Sequence, residues 1–154
     1  MSVGVLSGTA KDGTTIEIVF EAYHIGSSDD NSKPTLRVMT FDDFKRGSSA
    51  RWATHEIIQQ KSILEFIGPG LEELSFSVLL HAGLGVKPKE ELKKLRQIRD
   101  EGIICLLMIG DEQVTDNKVV LQKMDEDPRT FDGTGEMLVV AVNLSFTEYP
   151  ESEA

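Results

Sequence analysis

Residues 51–102 read RWATHEIIQQKSILEFIGPGLEELSFSVLLHAGLGVKPKEELKKLRQIRDEG, a pattern of strand, bend, strand, turn and helix. From Leu74 the apolar residues alternate (Leu74, Phe76, Val78, Leu80), with Ser75, Ser77 and Leu79 between them. That period predicts a strand with one face on a core. Before it stands Gly68-Pro69-Gly70. Proline fixes φ and lacks an N–H, and glycine accepts φ above zero, so the tripeptide predicts a turn or sharp bend between two strands. After the strand, Pro88 suits the first turn of a helix. Glu90 and Glu91 fall near its positive end, Arg96 and Arg99 near its negative end, and Gly102 takes the position just past it. Leu92, Leu95 and Ile98 form a narrow apolar stripe. Lys87, Lys89, Lys93, Lys94, Arg96 and Arg99 occupy the other faces, as on a surface helix resting on a sheet by one edge. Trp52, the chain's one tryptophan, is expected to anchor the core. Arg51 beside it is expected as an edge cation or stacked on an aromatic ring.

Working outward, residues 1–13 are small and polar, which suits a flexible arm or an edge strand. Thr14–Tyr23 is β-branched, aromatic and alternating, and predicts a strand. Residues 26–34 have the composition of a loop. Leu36–Phe41 predicts another strand, Asp42–Ser49 a loop or short turn, and Arg51–Ile58 a further strand. Beyond the helix, the apolar run Ile103–Ile109 is of a length that favours a buried strand. Gly110-Asp111-Glu112 starts a turn, and Val119–Met124 alternates again. Residues 125–136 (DEDPRTFDGTGE) are expected as an acidic loop, with Asp132-Gly133 and Gly135 as turn signals. Met137–Phe146 is the last strand, and residues 150–154 are expected as a disordered tail. The sum is six to eight strands and one helix in a 154-residue chain. Most links are short enough for antiparallel hairpins. The expected class is α+β, mainly β: one β-sandwich or barrel domain over residues 1–154, with a single flanking helix.

Apolar residues make up 40% and charged residues 27%, a balance that folds. No apolar run reaches ~18 residues, so no membrane-spanning helix is expected, and the start lacks the pattern of a signal peptide. The only cysteine, Cys105, leaves no partner for an internal disulfide and fits a reducing compartment. The net charge of −10 argues against a general nucleic-acid binder. The charge is uneven: residues 87–102 carry +2, residues 103–154 carry −8 and the rest −4. A basic helix on an acidic body is either a solvated face or an invitation to head-to-tail contact between copies. In the second reading Lys89, Lys93 and Lys94 form an outward cluster that meets acid on a neighbour, such as the 125–136 segment.

Candidate chemistry is sparse. His81-Ala82-Gly83-Leu84-Gly85 lies between a strand and a helix, where a dinucleotide-binding glycine turn belongs. The third glycine position of G-x-G-x-x-G is Pro88, however, and alternating βαβ units are missing, so a small-molecule enzyme using Gly83–Gly85 is a distant alternative. His24, His55 and His81 lack metal-ligand spacing. Cys105 sits in an apolar run, as a buried, unreactive thiol does. The acidic pairs and clusters at Asp29-Asp30, Asp42-Asp43, Asp111-Glu112 and 125–127 lack the spacing of a calcium loop. No catalytic residue, cofactor or metal site is expected.

Arg51-Trp52-Ala53, Gln60-Lys61, Glu65-Phe66-Ile67-Gly68-Pro69-Gly70 and Glu72-Glu73 with Leu74–Leu80 resemble the phage tail protein U (GpU) family of contractile tails. Its members carry a W-R-W-like segment, a basic link, a glycine-containing turn, two acids and a strand. Leu92–Arg96 matches the L-x-x-L-R of the family's helix, and Met137–Tyr149 its last strand. The likeness covers about residues 36–149; Ala50 stands where the family has its first tryptophan, and the N-terminal ~35 residues find no counterpart. The resemblance implies a tail-tube-like fold and a structural, non-enzymatic role. That role is a ring, of six copies by implication, where the inner tube of a contractile phage tail or tail-like particle meets the baseplate hub. The implied partners are the chain itself, the tail tube protein and the hub and spike proteins, with no membrane and no specific nucleic acid. The implied location is the virion tail, assembled in the bacterial host cytoplasm. A tail terminator or completion protein at the other end of the tube, with a related fold, is the alternative. Arg51, Trp52, Gly68, Pro69 and Gly70 join Lys89, Lys93 and Lys94 as the candidate assembly residues.

Overall fold

The computed structural model describes residues 2–25 and 35–151. The strands are β1 (Ser2–Thr9), β2 (Thr15–Ile25), β3 (Thr35–Met39), β4 (Phe41–Gly47), β5 (Ala50–His55), β6 (Ile63–Pro69) and β7 (Glu73–His81). A 3₁₀ turn (Ala82–Leu84) and the helix α1 (Pro88–Glu101) follow, then β8 (Ile104–Ile109), β9 (Glu112–Gln113), β10 (Lys118–Phe131) and β11 (Met137–Tyr149). The mainly β class with one helix is what alternation in the sequence predicts, although the described strands number eleven rather than six to eight. The loop expected at 26–34, with Asp29-Asp30, and the last three residues of the expected tail lie outside the described residues.

Nine strands form one antiparallel sheet in the order β3-β2-β1-β8-β10-β11-β7-β4, with β9 added to β8. The strands at its two ends, β3 and β4, are separated in sequence by Thr40 alone, so the sheet must curl until its edges approach. Aromatic rings fill the interior: Phe20 of β2 stands edge-on to Phe41 at 5.6 Å and to Phe76 of β7 at 5.8 Å, and Phe76 stacks on Phe146 of β11 at 5.5 Å. The alternating residues Leu74, Phe76, Val78 and Leu80 are buried, as are Val140, Val142, Leu144 and Phe146 opposite them. Helix α1 touches β2, β7, β10 and β11. It buries Leu92, Leu95 and Ile98, at about 1.5–3 kcal/mol for each full burial, and ends on Gly102 in the left-handed region.

Three expectations are corrected. Residues 2–9 are neither arm nor edge: β1 lies between β2 and β8. Its small residues are spacers, since a Cβ at Gly8 would stand 2.6 Å from the Ile103 side chain. Asp42–Gly47 belongs to the edge strand β4, irregular between Asp42 and Lys45. The acidic residues 125–131 continue β10 rather than forming a loop. Both segments resemble loops for one reason. Among the described residues β4 pairs with β7 alone, and beyond Val120 β10 pairs with β11 alone. Each therefore presents an open edge, which charged side chains protect from further pairing.

Candidate assembly surface

Strands β5 and β6 pair only with each other among the described residues and stand apart from the large sheet. Trp52 lies opposite Phe66, and Thr54 opposite Leu64. Trp52, Leu64 and Phe66 therefore share one face, with the two rings 5.1 Å apart. The other face carries Ala53, Ile63 and a His55–Glu65 pair at 2.8 Å. These side chains face water: Trp52 is 54% exposed, Leu64 61%, Phe66 56% and Ile58, in the connecting turn, 91%. Among the described residues thirteen large apolar side chains are exposed, and eight of them fall between Trp52 and Leu71. An isolated two-stranded ribbon is marginal in water, and apolar area gathered in one place marks a contact surface. Trp52 is thus no core anchor. The aromatic cluster around Phe20 and Phe76 fills the interior without it.

Gly68-Pro69-Gly70 belongs to the base of this hairpin. Gly68 and Pro69 end β6, opposite Arg51 and Ala50, so the expected bend begins only at Gly70. There the N–H donates to Ser49 O at 2.8 Å. A Cβ on Gly70 would come within 2.6 Å of Ser49 Oγ and 2.8 Å of Ser49 O, so the crossing of the two chains demands glycine. Arg51 lies over Gly68, where a Cβ would stand 3.2 Å from its guanidinium.

The basic helix is less free than its composition suggests. Arg96 donates twice to Glu126 of β10, at 2.8 and 2.7 Å, which raises the Arg96 pKa further and fastens helix to strand. The acidic segment expected to meet the helix of a neighbour meets it within one chain. Lys94 Nζ stands 3.7 Å from Glu91, a carboxylate that is buried rather than solvated at the helix start. Lys87 and Arg99 stand near Glu90 and Asp100. Of the three lysines expected as a cluster, Lys89 and Lys93 are exposed and have no ion pair among the described residues.

The glycine turn has a local task. His81 Nδ1 accepts from Gly83 N at 2.9 Å and caps the 3₁₀ turn, which closes on Gly85. With Val86, Pro88, Met137 and Leu138 it borders a hollow of about 610 Å³, rimmed by Lys87, Lys89, Glu90 and Glu136. His55 and His81 both serve local hydrogen bonds. Among the described residues no group of three or more His, Cys, Asp or Glu is placed to hold a metal ion. Burial pushes the Cys105 thiol up to about 11, which keeps it protonated at neutral pH.

The structure thus brings Arg51, Trp52, Gly68, Pro69 and Gly70 together in one hairpin and sets Lys89 and Lys93 at the other end of β7. Residues 63–67 (ILEFI) entered the sequence reading only through Glu65, Phe66 and Ile67 of the family resemblance, and not as an exposed strand. They lack strict alternation because neither face of the hairpin meets the core.

Such a molecule is a mainly antiparallel β protein with one helix, whose exposed apolar surface lies on a projection. The model of the Phage P2 GpU family matches residues 35–151, most of the chain, and the chain belongs to that family of phage tail structural proteins. A search of curated proteins finds no match. The matched span opens at β3, so β1 and β2 lie outside it, although Leu6, Ile16, Ile18 and Phe20 are buried in the same core.

Proposed function

We propose that the chain forms a ring of six copies where the inner tube of a contractile tail, or of a tail-like injection particle, meets the baseplate hub. Its neighbours there are further copies of itself, the tail tube protein and the hub and spike proteins. The role is structural, needs no cofactor and involves no catalysis. Assembly takes place in the bacterial host cytoplasm, and the finished ring resides in the virion tail. The observation that carries this reading is the hairpin β5–β6, which exposes Trp52, Leu64 and Phe66 on a chain of net charge −10. A water-facing ribbon of that kind gains its stability from a neighbour. Lys89 and Lys93 add charge to the surface that meets acidic neighbours and set register and rate more than affinity.

Electron microscopy of the purified protein, alone and within isolated particles, tests the proposal. Six-fold rings next to the hub are the expected result; a ring of different symmetry, or one at the far end of the tube, contradicts it. The double change Lys89→Glu, Lys93→Glu should move the melting temperature little, since exposed lysines contribute within about 0.5 kcal/mol. It should nevertheless reduce ring formation at low ionic strength. Full assembly of that variant at low salt would leave the helix a solvated face.

A further inference from the structure

The exposed hairpin and the partly apolar hollow lie at opposite ends of one strand. The hairpin leads through Leu71 into the first residue of β7, Glu73, and the hollow opens just past its last residue, His81. Nine residues of strand separate them by roughly 25 Å. We infer that the turn of the β5–β6 hairpin of one copy seats in the hollow between the 3₁₀ turn, the start of α1 and the start of β11 of the next copy. This deepens the ring reading and rests on it.

Three observations favour a second copy as the occupant. The turn at residues 56–62 (EIIQQKS) presents Ile57 and Ile58 at its tip, and the hollow offers Ala82, Val86, Pro88, Met137 and Leu138. Ile58 is 91% exposed, so nothing among the described residues of its own chain covers it. The charges match in pattern as well. Glu56 and Lys61 flank the tip without an ion pair among the described residues, and the rim of the hollow carries Lys87 and Lys89 beside Glu90 and Glu136. A base on the rim can meet Glu56 while an acid meets Lys61. The hollow, about 610 Å³, has room for several side chains of such a turn. Finally, donor and acceptor differ in place, so the contact is heterologous. A heterologous contact repeats from copy to copy and closes into a ring when the rotation allows.

The test is covalent capture between chains. Ile58→Cys and Ala82→Cys are introduced together into the full chain, which is treated with a short bismaleimide. Multimers longer than one chain report links between copies whatever the spacing within a chain, and the buried Cys105 of the parent serves as control. The expected result is a ladder of covalent multimers from the double variant. The two single variants, mixed, give a dimer and nothing longer, and the parent gives no product. A second variant, Ile58→Asp, should fold normally and lower self-association by roughly tenfold or more, the loss of one buried aliphatic side chain. If the double variant assembles as rings but yields no ladder, the inference is wrong while the ring reading stands. If the parent stays monomeric even with tail tube and hub proteins present, the ring reading fails and the inference with it.

Discussion

At the scale of single residues, Gly70 and Asp132 each do something that their neighbours in sequence would not suggest. Gly70 passes so close to Ser49 that Gly70→Ala must push the Ser49 carbonyl away. Relief of such overlap costs typically about 1–3 kcal/mol. The hairpin hangs from this point and, among the described residues, shares no strand pairing with the large sheet, so it opens as a unit of its own. Gly70→Ala should therefore reduce amide protection in β5 and β6 by at least tenfold and leave β7 and β11 unchanged. Equal loss in both regions would mean that the hairpin and core unfold together. Asp132 Oδ1 accepts from Thr134 Oγ1 at 2.7 Å, Thr134 N at 2.8 Å and Glu136 N at 3.0 Å, closing the turn between β10 and β11. The hydrogen bond from the Thr134 hydroxyl, then those from the Glu136 and Thr134 amides, hold its carboxyl below the usual aspartate range. A carboxyl lowered in the folded state adds stability above its unfolded pKa of about 3.9 and loses it as pH falls through the folded value. Nuclear magnetic resonance titration should find Asp132 below an ordinary aspartate, and amide protection of Thr134 and Glu136 should fade with its protonation. An ordinary titration midpoint would show that the turn does not depend on this carboxylate.

At the scale of elements, what was legible depended on whether an element meets the core. The helix Pro88–Glu101 was readable to its last residue because proline, an apolar stripe and a terminal glycine all act locally. Strand β7 was readable because its alternation records one buried face. Strand β4 was not, because its partner β7 is distant in sequence, and the far half of β10 was not, although β11 follows it directly, because the open edges of both select charge. Arg96 and Glu126 are thirty residues apart, so composition could count the cation but not its partner. The same holds for Trp52: its type suggested a core position, whereas its place on an unpaired ribbon is a property of the topology. The glycine motif fared better, since Gly70 is required by a crossing only two chains wide.

At the scale of the whole molecule, the question is which force governs association. Each copy carries a net charge of −10, so bringing copies together costs repulsion over the distance that salt leaves unscreened. That distance is about 30 Å at 0.01 M and about 8 Å at 0.15 M ionic strength. The proposed contact is apolar at its centre, around Ile57 and Ile58, and burial of that kind does not weaken with screening. The few ion pairs at its rim are exposed and contribute at most about 1 kcal/mol each. Repulsion of the whole chains thus outweighs attraction at the rim when salt is low. Sedimentation velocity should find self-association strengthening as sodium chloride rises from about 10 mM to about 150 mM. Lys89→Glu with Lys93→Glu makes each copy more negative and should steepen that rise. A contact held mainly by lysine–carboxylate pairs would behave in the opposite way, weakening steadily as salt is added, and that outcome would move the interface from the hairpin tip to the helix face.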